Sequence, residues 1–218
     1  SSDSSYAMLS SLSTEILYLP AKSSITSRKA SPRLRQQWQD VLEECRQTEA
    51  GPEERLRIAL LNVDYVTSFE LPFRLLLTRT PQLIAALREE WGFSQKNVVI
   101  NDKRFGCVYS LKASLSGVPD TFRYHLSHRT RRVVGNENTS LPYQQVAREV
   151  KAPRERLKYA LEAGLLVTAL DGLFWFGSQR IAADVLRLRK AGMPVVSTTV
   201  EVHDILTGTT RKVPAYHL

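Results

Sequence analysis

The chain has 218 residues, of which 43 % are hydrophobic and 24 % charged, the balance of an ordinary globular protein with one large or two small domains. Its formal charge of +8 favours a polyanionic partner, nucleic acid first among them. No apolar run approaches the roughly 18 residues that a transmembrane helix needs. The opening SSDSSYAMLSSLSTEILYLP lacks the basic start and clean apolar stretch of a secretory signal, so a cytoplasmic protein with no membrane partner is expected.

Residues 1–31 read as a flexible segment, with Met8, Leu9, Leu12, Ile16 and Leu17 spaced for a short amphipathic helix and SSITSRKASPR as a mobile linker. The first few residues are expected to be disordered. A helical domain follows over 32–134. Ser31 caps a helix from Pro32 to Gln47, with Leu34, Trp38, Val41, Leu42 and Cys45 on one face. Gly51-Pro52 starts a second helix, Glu53–Val66, and a third covers Leu71–Leu77. Thr80 and Pro81 open a fourth, with Leu83, Ile84, Leu87 and Trp91 as its buried stripe. Asn97–Ile100 and Phe105–Leu111 alternate around Asn-Asp-Lys-Arg, a hairpin with a basic tip. One reading of this half is a second winged helix, with Thr80–Trp91 as recognition helix and Lys103 and Arg104 on the wing. Cys45 and Cys107 form no C-x-x-C pair, so a disulfide scaffold and a four-cysteine zinc site are excluded. Two buried thiols are expected.

Residues 112–140 carry Lys112, Arg123, Arg129, Arg131 and Arg132 against two acids, Asp120 and Glu137. Such a connector can neutralise phosphates, or be a solvated basic loop. GNENTS at 135–140 reads as a linker. LPYQQVAREVKAPRERLKYAL fits a plain helix-turn-helix with Arg154, Arg156 and Lys158 as groove readers. The alternative makes Arg154–Gly164 a scaffold helix for the C-terminal segment and is preferred, because a hairpin comes next in the right order.

Thr168 and Asp171 have capping-box spacing at the head of an apolar helix that Gly177 breaks. Ser178 is a good N-cap for a second helix, Gln179–Ala191, whose Ile181, Val185 and Leu188 face inward. Gln179, Arg180, Ala183, Arg187 and Lys190 lie opposite. Gly192 and Pro194 end it. Val195–His203 then alternates as a strand, Thr207-Gly208 turns, and Arg211–Leu218 returns, with Pro214 marking an edge strand.

The run VTALD, FGSQRIAADVLRLRKAGMPVVSTTVEV, TG and RKVPAYHL resembles the helix-turn-helix domain common in phage and mobile-element proteins, and more loosely the biotin-repressor type of winged helix. That resemblance implies an α+β, mainly helical chain whose residues 141–218 form a C-terminal winged helix-turn-helix. It also implies double-stranded DNA as partner. Gln179, Arg180, Ala183 and Arg187 are then expected at base edges, where arginine pairs with guanine and glutamine with adenine. Ser178, Lys190, Arg211 and Lys212 are expected at phosphates, together with the connector residues Arg129, Arg131 and Arg132. The expected roles are a phage or plasmid transcriptional regulator dimerising through its N-terminal half, a tandem winged-helix replication initiator, or a protein-interaction module.

Enzyme signatures are sparse, and no catalytic residue or cofactor is expected. There is no Gly-rich phosphate loop, H-E-x-x-H or Gly-x-Ser-x-Gly. His125-x-x-His128 has too few companions for zinc. HLSHRT at 125–130 faintly resembles a tyrosine-recombinase box, with Tyr159 as nucleophile, but His128 stands where that family has arginine.

Overall fold

The computed structural model describes residues 15–19, 24–27, 31–100, 102–112, 114–118, 122–125 and 130–218, with the backbone alone for 24–27 and 122–125. In chain order the elements are β1 (Glu15–Leu19), β2 (Ser24–Ser27), α1 (Pro32–Thr48), α2 (Pro52–Asn62), β3 (Val66–Thr67), α3 (Leu71–Leu75), α4 (Thr80–Glu90), β4 (Ser94–Ile100) and β5 (Lys103–Ser110). There follow β6 (Phe122–His125), β7 (Arg131–Val134), β8 (Glu137–Asn138), α5 (Ser140–Glu149), α6 (Pro153–Glu162) and β9 (Val167–Thr168). The chain ends with α7 (Ala169–Asp171), which runs on as a π-helical turn over Gly172–Phe176, then α8 (Ile181–Lys190), β10 (Val196–Asp204) and β11 (Thr209–His217). Contacts divide it into two compact units: Ser1–Ala21 with Arg129–Leu218, and Lys22–His128.

The unit Lys22–His128 packs its helices on a three-stranded sheet of order β3-β5-β4. Trp38, Val41 and Cys45 of α1 join Leu56 and Ala59 of α2, Leu71 and Leu75 of α3, and Ile84 and Leu87 of α4 in one core with Val66 and Tyr109. Arg55 is buried in this unit, with its guanidinium donating to the carbonyls of Ala50 and Leu75 at 2.8 and 3.1 Å. It supplies partners that buried carbonyls otherwise lack. The β4–β5 hairpin is bonded to β3 through Val66–Tyr109 and Thr67–Val108 and is therefore a sheet component, not a free wing. A Cβ at Gly106 would displace Ser68 Oγ, which accepts from the Cys107 backbone N–H at 3.0 Å.

Asp64 ties this unit together through Lys112 Nζ at 2.6 Å and Arg33 Nε at 3.2 Å. The bond from Lys112, helped by Gln37 and Arg33, holds the Asp64 carboxyl below its ordinary value of 3.8. A depressed folded pKa gives stability that is present above the unfolded value and lost as pH falls through the folded one. Asp64→Asn should therefore flatten the acid limb of the stability curve below about pH 4, in urea melts taken at successive pH values. An unchanged acid limb would contradict the pairing.

The second unit is built on a six-stranded sheet of order β8-β7-β1-β10-β11-β9. Only the β1–β10 pairing is parallel, with Glu15 opposite Glu201 and Leu17 opposite His203. On its other side β1 pairs antiparallel with β7, Leu19 opposite Arg131. Chain 22–128 is thus inserted between two adjacent strands of one sheet. Ile16 and Leu17, expected in a helix, are strand residues; Ile16 and Tyr18 are buried. GNENTS is likewise no linker. Gly135, at φ 63, and Asn136 turn β7 into β8, with Val134 opposite Glu137. Gly-Asn is turn chemistry that suits a two-residue hairpin.

The expected fold class is corrected by this sheet. The chain is α/β rather than mainly helical, and the winged helix-turn-helix is not what forms. β10 and β11 are not a free wing: β1 occupies one flank of the pair and β9 binds Ala215 and Tyr216 on the other. Pro214 sits opposite Thr199, outside the β9 pairing, so its missing N–H is not required there. The core of this unit joins Tyr143 and Val146 of α5, Leu157 and Leu161 of α6, Trp175 and Phe176, and Ile181, Val185 and Leu188 of α8.

Candidate nucleic-acid interface

The capping box at Thr168 anchors the approach to α8. Thr168 Oγ1 accepts from the Asp171 backbone N–H at 3.2 Å, and Asp171 Oδ2 accepts from the Thr168 backbone N–H at 3.0 Å. Thr168 Oγ1 also gives its proton to Asp171 Oδ2 at 3.2 Å, so the Tyr18 hydroxyl, 2.5 Å away, donates to Thr168. Asp171 Oδ1 accepts from Arg132 Nε at 3.0 Å and Trp175 Nε1 at 3.3 Å. Arg132 lies over the Tyr143 ring at 4.5 Å. Burial pushes the Asp171 carboxyl up, and Arg132 beside it opposes that rise. Burial also drives the Tyr18 hydroxyl well up, which keeps it a donor.

From this fixed base the chain turns into α8. Gly177, at φ 70, ends the π-helical turn, and Gly172 makes room for α8, since a Cβ there would lie 3.0 Å from Ile181 Cδ1. Arg156 donates from Nε to Val150 O at 2.8 Å and from Nη1 to Phe176 O at 3.4 Å, placing a cation at two helix C-termini. It is half-buried with its guanidinium engaged by these carbonyls, whereas Arg154 and Lys158 are exposed. At the far end, Arg189 donates to Val195 O and to Ser197 Oγ at 2.8 Å, fixing α8 to the start of β10.

With Ile181, Val185 and Leu188 buried, Ala183, Leu186, Arg187 and Lys190 recur at i, i+3, i+4 and i+7 on the opposite face, all exposed. Arg180 is exposed immediately ahead of them. Asp184, the one acid in α8, is half-buried and accepts from Ser178 Oγ at 2.8 Å. Arg187 reaches Arg154 O at 3.1 Å and lies 4.0 Å from Asp184 Oδ1, with 45 % of its side chain still exposed.

The predicted contact residues therefore divide. Arg180, Ala183, Arg187 and Lys190 form one cationic surface. Ser178 is no N-cap, because α8 starts at Ile181; its hydroxyl is engaged by Asp184 and by the Arg180 backbone N–H at 3.2 Å. Gln179 is only half-exposed, and its Oε1 is buried without a partner, so that oxygen does not reach a base edge. Arg132 is corrected outright: with 4 % exposure and a carboxylate partner it cannot neutralise a phosphate. Arg211 is paired with buried Asp204 at 3.2 Å and keeps 32 % of its side chain exposed. Arg131 and Lys212 are exposed on β7 and β11. Arg129 lies outside the described residues. Sequence reading passed over Leu186, which is 52 % exposed on this same face. Its spacing from Ala183 and Lys190 was the available signal.

Tyr159 donates to the Glu149 carboxylate, and that bond pushes its pKa up, the wrong direction for a phenolate nucleophile. His125 is described by its backbone alone, and His128 lies outside the described residues. Cys45 and Cys107 are buried and are not joined in a disulfide. Among the described residues no group of three metal-ligating side chains occurs, and no helix is long and apolar enough to cross a membrane. No family model, curated protein or solved structure matches the chain.

Proposed function

We propose that the chain is a sequence-specific double-stranded DNA-binding protein that presents the outer face of α8 to the major groove. The observation that carries this is the α8 surface itself: Arg180, Ala183, Arg187 and Lys190 are exposed together while Ile181, Val185 and Leu188 are locked in the core. Two guanidinium groups and a small residue are what base-edge readout of guanine needs, with room for the backbone to approach. The excess of eight positive charges over the whole chain adds the non-specific attraction to phosphates on which such proteins depend. The winged fold is no part of this reading.

Selection of bound sequences from a pool of random duplexes tests it. Enrichment of one short motif is the expected result, and failure to enrich any duplex at moderate salt overturns the proposal. The arrangement of motifs separates the roles. Inverted half-sites about one helical turn apart belong to a dimeric regulator, and direct repeats to an origin-binding initiator.

A further inference from the structure

Leu186 has no evident role in folding. It is 52 % exposed, on the side of α8 turned away from Val185 and Leu188, and it is one of the largest apolar side chains left in solvent in this unit. Its neighbours on that face are Ala183 one turn before it and Arg187 and Lys190 beside and beyond it. An isolated leucine framed by cations does not suit an apolar protein groove, which would have to desolvate Arg180, Arg187 and Lys190 along with it. It does suit a duplex major groove, where phosphates meet the cations and the one apolar feature on a base edge is the thymine C5-methyl group.

We infer that Leu186 is a specificity-determining residue that reads a thymine methyl group, with Ala183 leaving the space above it. Leu186 has this role only if α8 meets duplex DNA at all, as proposed above. The target site then contains a thymine next to the base pairs contacted by Arg180 or Arg187. Losing the leucine relaxes selectivity at that position, because no hydrogen bond replaces the lost methyl contact.

The test uses the full chain and the duplex most enriched from the random pool, resynthesised with deoxyuridine in place of each thymine in turn. That exchange removes the C5-methyl and nothing else. At one or two positions it should weaken binding by about fourfold, the worth of one buried methyl. Leu186→Ala should bind the thymine and deoxyuridine duplexes equally, and its unfolding midpoint should match the parent because the side chain is exposed. If every exchange is neutral, or if the penalty persists in Leu186→Ala, the role of Leu186 is overturned while the DNA-binding reading stands. If no duplex is enriched from the pool, both fall.

Discussion

Asp171→Ala should destabilise the unit that contains α8 by about 3–5 kcal/mol, the cost of leaving a buried charge without its partner. Arg132 would lose the carboxylate that its Nε meets at 3.0 Å, in a site where the two side chains are 5 % and 0 % exposed. The capping box would vanish with it, freeing the Thr168 backbone N–H, and Trp175 Nε1 would lose its acceptor. Thr168 would also lose the acceptor for its own proton, loosening the link to Tyr18 and hence to β1. Equilibrium unfolding in urea measures the loss. The double variant Arg132→Met/Asp171→Leu should recover much of it, since removing both charges leaves neither one stranded. A cost under about 1 kcal/mol for Asp171→Ala would place the pair among exposed ion pairs and contradict its place at the base of the domain.

The second large effect concerns binding. Replacing Arg180, Arg187 and Lys190 together by alanine should reduce affinity for the selected duplex by at least about 100-fold, because each well-placed base contact is worth roughly 1–3 kcal/mol. The dependence of log K on log salt should become shallower, by about 0.9 for each of the three cations that neutralises a phosphate. The fold should survive, because all three side chains are exposed and only Arg187 has a bond to another element, at Arg154 O. An unchanged affinity in a folded triple variant would remove α8 from the contact surface.

The parts of this site that sequence made legible are those whose partners are near in the chain. Thr168 and Asp171 are three residues apart, and both halves of their box form as the spacing predicts. Ile181, Val185 and Leu188 repeat at helical spacing and are buried accordingly. The β10–β11 hairpin follows from alternation and from Gly208 at φ 72.

What sequence concealed depends on distant partners. The run Ile16–Leu19 is apolar without interruption, so neither helical nor strand periodicity stands out. Its partners lie near residues 131–134 and 201–203. Once that strand is missed, the C-terminal hairpin looks like a free wing, and the α/β sheet goes unseen. Arg132 reads as one of a run of exposed cations because its carboxylate stands 39 positions away in sequence. Leu186 escaped notice because the outward face of α8 was read through its polar residues.

The most direct measurement is the change in backbone amide shifts when the chain is titrated with its selected duplex. The largest changes should fall on Arg180, Ala183, Leu186, Arg187 and Lys190, with smaller ones at Arg154 and none at buried Arg132. Saturable binding that leaves the α8 signals in place, or a titration that moves no signal at moderate salt, would contradict α8 as the DNA-reading element.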